Sequence, residues 1–326
     1  MINDLKIELN YYNDYSLKYK FDEIDSAPFY IKTLSPNMSE KQLCDEYYDY
    51  WCEMILHCGI GAVLDLLQKR ENSGDKYSVS VLAKLYLYGI HMNPDITKGI
   101  YYADKAINYG CGDMALEMAQ LYGVEKDNTL PYDLKLKFEY LKRAADKGCK
   151  DAYWELANCY MLGEGTKTDD ANSFKYYDLA YSNGDKKACF GLGLCYVDGI
   201  GTKKNTSKAL PLLRESLQLT PNNASAMTSI ARCLADPYDE YGISPTYSMY
   251  SEAAQFARMG YEKGDIDACR LLGCMYIYGK GVQRDFNKAY SFLAEGLKRG
   301  DIYNQSLLRW FVQDEYGNYY IPEENL

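Results

Sequence analysis

The sequence is poor in histidine, in positive charge and in long apolar runs. Only two of its 326 residues are histidines, His57 and His91, so a histidine metal site or a Ser-His or Cys-His catalytic pair has almost no candidates. Its 36 basic side chains face 46 acidic ones, giving a net charge of −10, which argues against nucleic-acid binding through a basic surface. No apolar run approaches the roughly 20 residues that span a bilayer.

Motifs that mark catalytic and metal sites are missing as well. The sequence has no GxxxxGK[ST], GxGxxG, GxSxG or HExxH motif and no CxxC or CxxH spacing, so we predict no catalytic, cofactor-binding or metal-binding residue. Its 11 cysteines are an odd number, and buried, reduced thiols are the simpler interpretation. The first six residues lack the apolar segment of a signal peptide, so the expected compartment is the cytoplasm.

The most informative feature that is present is an internal repeat. Its anchor is a glycine that follows one helix-like segment and precedes the next, at Gly74, Gly110, Gly148, Gly184, Gly264 and Gly300. The longest gap, 80 residues, has room for two units, and a helix-like segment at residues 226–231 supplies the missing one. The sequence therefore predicts six units.

Within the units, the same residue types recur at fixed distances from the anchor. A Leu or Met is followed four residues later by a Tyr on the same helix face, as in Leu82 and Tyr86 or Leu272 and Tyr276. The residue after the Leu or Met is Ala or Gly, which lets a neighbouring helix approach closely. A Gly-x-Gly turn is predicted to end this first helix, and a second helix is predicted to begin at the N-caps Asp95, Asn205 and Asp285.

These residues resemble the Sel1-like repeat, a relative of the tetratricopeptide repeat, with the pattern Ala-x3-Leu-Gly-x2-Tyr-x2-Gly-x-Gly followed by Asp, Lys-Ala and Gly. Residues 268–282 match it best. The unit at 222–263 departs most, because Leu234 stands in place of the Tyr. The resemblance implies an all-α fold, a right-handed α-α superhelical solenoid of helix pairs whose concave face is built from the first helices.

The two ends of the chain differ from the repeat. Alternating apolar residues on both sides of Asn13 and Asp14 predict a small β-hairpin, and a capping box that begins at Ser39 predicts a helix pair that covers the first repeat. We accordingly predict four parts: an N-terminal β-hairpin-like extension at 1–38, a capping helix pair at 39–73, the repeat solenoid at 74–312 and a C-terminal tail at 313–326.

The tetratricopeptide comparison places the concave positions two residues before and two after the inner Leu or Met of each first helix. With one flanking lysine, the candidate partner-binding residues are Lys84, Gln120, Trp154, Asn158, Lys187, Phe190, Arg232 and Arg270. Trp154 and Phe190 would form an aromatic anchor, and the two arginines would receive a carboxylate. Alternatively, both aromatic side chains pack against a neighbouring repeat.

The function that the resemblance implies is a noncatalytic scaffold or adaptor that binds a protein or peptide, of unknown identity, on the concave face. An alternative is a regulatory or effector-type protein, including one that a pathogen or mobile element directs at a host protein, whose N-terminal extension makes the contact. Neither function involves nucleic acid, a membrane or a cofactor.

A third reading is enzymatic. Some secreted, cysteine-rich relatives of the Sel1 family are described as β-lactamase-like or penicillin-binding, and they carry a disulfide in each repeat between cysteines eight residues apart. Here Cys189 and Cys269 occupy the second position, but Tyr181 and Tyr261 occupy the first. This broken pattern argues against such a hydrolase and leaves only an unrecognised cysteine-centred site.

Overall fold

The protein is described here from a computed structural model, which covers residues 40–125, 129–236 and 245–325. The predicted hairpin at 1–38 lies outside the described residues. The chain divides into two units, residues 1–149 and 150–326. The described part of each unit is built from successive helix pairs.

The described part of the first unit contains six helices. They are α1 (Glu40–Cys58), α2 (Ile60–Glu71), α3 (Lys76–Tyr88), α4 (Ile96–Asn108), α5 (Gly112–Tyr122) and α6 (Leu134–Asp146). Helices α1 and α2 lie where the sequence predicts the capping pair, and α3 to α6 form two repeats.

The described part of the second unit contains nine more α-helices and a small hairpin. After a 3-10 turn (Lys150–Ala152) come α7 (Tyr153–Leu162), α8 (Asp170–Ser182), α9 (Ala188–Asp198), α10 (Thr206–Leu219), α11 (Ala224–Ala235), α12 (Tyr247–Glu262), α13 (Asp267–Tyr278), α14 (Phe286–Lys298) and α15 (Asn304–Leu308). The chain continues as two antiparallel strands, β1 (Val312–Gln313) and β2 (Tyr319–Tyr320), with Val312 opposite Tyr320, and a final 3-10 turn (Glu323–Asn325).

Polar side chains begin the second helices, as the sequence predicts. The side chains of Asp95, Asn205 and Asp285 each accept a hydrogen bond from the backbone N–H three residues later. Asp133 and Asp169 do the same for α6 and α8. Each of these bonds satisfies an N–H that the first turn of a helix leaves without a partner.

Left-handed glycines end four of the first helices. The residues that follow α3, α7, α9 and α13 all adopt the left-handed backbone conformation: Gly89, Gly163, Gly199 and Gly279. The second glycine of the turn has a different role. A Cβ on Gly201 would lie 2.0 Å from the carbonyl oxygen of Asp170 in the preceding repeat, so the turn packs directly on backbone.

The core between the two helices of a repeat is aromatic. Tyr86 stacks on Tyr102 with ring centroids 5.5 Å apart, and Tyr276 stacks on Phe292 at 5.7 Å. The small residue of the first helix lies against a leucine of the second, since a Cβ on Gly273 would come within 2.6 Å of Leu293. The periodic tyrosines are thus packing residues.

The C-terminal hairpin covers the last helix pair. Tyr319 of β2 stacks on Tyr290 of α14 at 3.6 Å, its backbone N–H donates to the side chain of Asn287, and Ile321 is buried in the core of the final repeat. A solenoid needs an end that differs from its repeats, and this hairpin supplies it.

Candidate functional site

The eight side chains predicted to bind a partner are called the candidate row below. Lys84 and Gln120 belong to the first unit. Trp154, Asn158, Lys187, Phe190, Arg232 and Arg270 belong to the second.

Lys84 is only 9% exposed. Its ammonium lies 3.1 Å from Glu117 of α5 and 3.7 Å from Asp45 of α1, and 5.0 Å from the ring centroid of Tyr48. Burial alone would lower the pKa of Lys84, but the neighbouring carboxylates, Glu117 first, outweigh burial and raise it above its ordinary value. Lys84 therefore joins three helices of the first unit, whereas Gln120 of α5 is exposed.

Trp154 of α7 is half-buried and packs against a cluster that includes Ala188 and Leu192 of the next repeat. The ammonium of Lys187 lies 5.5 Å from the centroid of the Trp154 ring, a cation–π distance. Lys187 is exposed, so the cation covers the solvent side of the indole.

Asn158 and Phe190 have partners within the fold. Oδ1 of Asn158 accepts a hydrogen bond from the hydroxyl of Tyr177 at 2.5 Å. Phe190 packs against the cluster around Ile230 of the following repeat. Trp154 and Phe190 thus each pack against a hydrophobic cluster that includes residues of the following repeat.

The two arginines already have carboxylate partners. Arg232 of α11 pairs with Asp198 at the end of α9, and Arg270 of α13 pairs with Asp267 at 2.9 Å and lies 3.8 Å from Asp301. Both arginines stay partly exposed, at 40% and 36% of the side chain. A carboxylate of a partner would therefore join or replace an internal one.

Tyr303 is a residue that the sequence analysis missed. The guanidinium of Arg270 lies 5.5 Å from the centroid of the Tyr303 ring, and Tyr303 is 68% exposed beside Ile302, which is 70% exposed. The two residues of the Arg270–Tyr303 contact are 33 positions apart, as are those of the Trp154–Lys187 contact. In the first contact the earlier residue is the cation, and in the second the earlier residue is the aromatic ring. If the sequence repeat is continued for one further unit, Tyr303 occupies the position that Lys187 occupies in its own unit. That alignment would have identified Tyr303 as a candidate.

The repeat is matched by a known family. The Sel1 repeat model matches residues 79–111, 108–149, 150–185, 186–219 and 266–301, which together exceed half of the chain. The chain belongs to the Sel1 repeat family. The Sel1 family model does not match the segment between residues 219 and 266, where the sequence departs most from the repeat pattern. This segment nevertheless forms α11 and α12, a sixth helix pair beside the five matched repeats.

The chain is also similar to solved structures, two of which are described as follows. A protective antigen of uropathogenic Escherichia coli that displays an SLR fold is 22% identical over 75% of this chain and 50% of its own, with a TM-score of 0.46. A Sel1 repeat protein from Oxalobacter formigenes is 19% identical over 86% of this chain and 92% of its own, with a TM-score of 0.48. The chain spans half the length of the first of these. A search of curated proteins found no match.

Tyr181 and Tyr261 of this Sel1 repeat protein make polar contacts between repeats. The hydroxyl of Tyr181 donates to Glu215 at 2.9 Å, and that of Tyr261 donates to Glu295 at 2.8 Å. In each case a second-helix residue reaches the next second helix, 34 residues on. The side chain at the first position of the cysteine pair is thus engaged in a hydrogen bond to the next repeat.

The cysteines of the described residues are free thiols, and most of them are buried. Burial raises the pKa of Cys189, Cys195 and Cys233 to about 12, which suppresses the reactive thiolate. Among residues 40–125, 129–236 and 245–325, no three His, Cys, Asp or Glu side chains group as metal ligands. The same residues include no helix suited to crossing a bilayer.

Proposed function

We propose that this Sel1 repeat protein is a noncatalytic adaptor or scaffold that binds a protein or peptide through the part of the candidate row in its second unit, together with Tyr303. The observation that carries the proposal is the repeated cation–aromatic contact of Trp154 with Lys187 and of Arg270 with Tyr303. Both pairs are partly open to solvent. Trp, Tyr and Arg are the residues that contribute most to protein interfaces.

Sel1 repeats generally form protein-interaction scaffolds, and this supports the proposed class of function. Lys84 is left out of the proposed surface because it is buried among its carboxylate partners. The compartment we propose is the cytoplasm, since the described cysteines are free thiols and reducing conditions keep them so.

The test is affinity capture from a lysate of the source cells with four baits. They are the intact protein, Trp154→Ala, Tyr303→Ala and Tyr247→Ala. Tyr247 is the matched control, because it is 80% exposed and begins a second helix away from the candidate row. We expect a partner that the intact protein and Tyr247→Ala retain and that the other two variants lose, with thermal unfolding of all four proteins measured in parallel.

A fifth bait without residues 1–38 separates this proposal from the effector-type alternative. Retention of the partner by this bait agrees with binding by the candidate row. Loss of the partner with this bait alone, while Trp154→Ala and Tyr303→Ala still bind, would contradict the proposal and assign the contact to the N-terminal extension.

A further inference from the structure

A basic pocket of about 350 Å³ lies between the last matched repeat and α12, and no residue of the candidate row lines it. Four segments line it. Helix α12 contributes Arg258, α13 contributes Tyr276, α14 contributes Lys288, and the loop at residues 281–285 contributes Arg284. The pocket thus contains three cations in a chain with a net charge of −10.

Tyr276 organises these cations. Arg258 donates a hydrogen bond to its hydroxyl at 3.1 Å, and the ammonium of Lys288 lies 5.6 Å from its ring centroid. Asp285 is the one carboxylate of the lining, and it lies 3.2 Å from Lys288. Among the described residues, no carboxylate forms an ion pair with Arg258 or Arg284. The side chains that line the pocket therefore carry a net positive charge.

Comparison of the repeats shows that the fold does not require this charge. The residue 18 positions before the packing tyrosine varies among the other repeats: Gln68 for Tyr86, Asp104 for Tyr122, Lys142 for Tyr160 and Asp178 for Tyr196. At the same position before Tyr276 stands Arg258, so its charge is opposite to that of the two aspartates. Since two other repeats form the same helix pair with an aspartate, Arg258 is available for a different task.

We propose that this pocket binds carboxylate side chains of an acidic segment of the partner protein. Two guanidinium groups and an ammonium suit a carboxylate, which an arginine can bind through two parallel hydrogen bonds. The volume is at the lower end of the range of about 300–1,000 Å³ for small-molecule sites, enough for one or two side chains. This inference rests on the proposed scaffold function and adds a second contact to it.

The test is fluorescence anisotropy with a labelled oligoglutamate peptide and the matching oligoglutamine peptide. We expect the full-length protein to bind only the glutamate peptide. Arg258→Asp, which introduces the aspartate found in two other repeats, and Arg284→Gln should each weaken binding by at least about tenfold, the loss expected for one charge-assisted hydrogen bond. Lys263→Asp is the control, because it makes the same charge change as Arg258→Asp at an exposed position outside the pocket lining.

Three results would overturn the inference. They are no binding of the glutamate peptide, an equal loss with Lys263→Asp, and displacement of the peptide by inorganic phosphate at lower concentration than by unlabelled peptide, which would make the pocket a phosphate site. None of these changes the result of the Trp154→Ala capture, so failure of the pocket and failure of the scaffold function are distinguishable. Thermal unfolding of each variant verifies that it is folded.

Discussion

At the scale of single residues, two glycines of the second unit have similar backbone conformations but different surroundings. Gly201 has a φ of 65° and packs on the carbonyl of Asp170, whereas Gly184 has a φ of 92° with nothing within 4 Å of an added Cβ. We expect Gly184→Ala to lower the free energy of unfolding by about 1–2 kcal/mol, the backbone cost alone. Gly201→Ala should cost about 2–4 kcal/mol, because overpacking adds to it.

Urea denaturation of the two glycine variants measures this difference. Equal losses would show that the turn at Gly201 moves away from the preceding repeat without cost. In that case the second glycine of the turn would be explained by its conformation alone.

Glu215 provides a prediction about pH. It lies 2.7 Å from the ammonium of Lys186 and accepts a hydrogen bond from Tyr181, and these contacts, Lys186 first, hold its pKa below the ordinary value of 4.5. A carboxyl group whose pKa is lower in the folded state stabilises the fold above its unfolded pKa. That contribution disappears as the pH falls through the folded pKa.

We therefore expect Glu215→Gln to be less stable than the intact protein at neutral pH. The difference should shrink as the pH drops below 4.5. Thermal unfolding of both proteins as a function of pH measures it. A difference that is constant across this range would mean that the charge of Glu215 contributes no stability.

At the scale of helices, Asn205 has a defined role as the N-cap of α10. Its side chain accepts a hydrogen bond from the backbone N–H of Lys208 at 2.9 Å. We expect Asn205→Ala to destabilise the protein by about 1 kcal/mol, since it leaves that N–H without its partner. Asn205→Asp keeps an acceptor and should stay close to the intact protein in urea denaturation. Equal losses in both variants would contradict a capping role.

The helix boundaries were largely predictable because local chemistry determines them. Asp95, Asn205 and Asp285 are N-caps through bonds to residues three positions away, and the Gly-x-Gly turns end helices through their own backbone conformations. Even the divergent unit has its first helix at Ala224–Ala235, as its apolar pattern indicates.

The candidate site was less predictable, because its properties depend on contacts about one repeat apart. The position of Arg232 on its helix follows from the repeat, but its pairing with Asp198 requires the packing of α9 against α11. Likewise, Arg258 is an unremarkable helical arginine until the fold places it beside Tyr276. Periodicity identifies a face of a helix and does not reveal which charges meet on it.

At the scale of the whole molecule, the reactivity of the cysteine thiols reports on folding. The same measurement tests the enzymatic alternative. Cys58 is exposed, Cys52 and Cys274 are half-buried, and the other eight are buried: Cys44, Cys111, Cys149, Cys159, Cys189, Cys195, Cys233 and Cys269. Burial raises the pKa of both half-buried thiols. Since the thiolate is the reacting species, the raised pKa slows the reaction of Cys52 and Cys274, and exposure makes Cys58 the first to react.

We expect iodoacetamide to alkylate Cys58 in the native protein, to alkylate Cys52 and Cys274 slowly, and to alkylate the buried eight only in denaturant. Mass spectrometry of peptides after timed labelling gives the order, and Cys58→Ser should remove the fast phase without affecting the others. A buried cysteine that reacted faster than Cys58 in the native protein would have an activated thiolate. That result would favour a cysteine-centred enzyme over a scaffold, because packing alone gives a buried thiol no such reactivity.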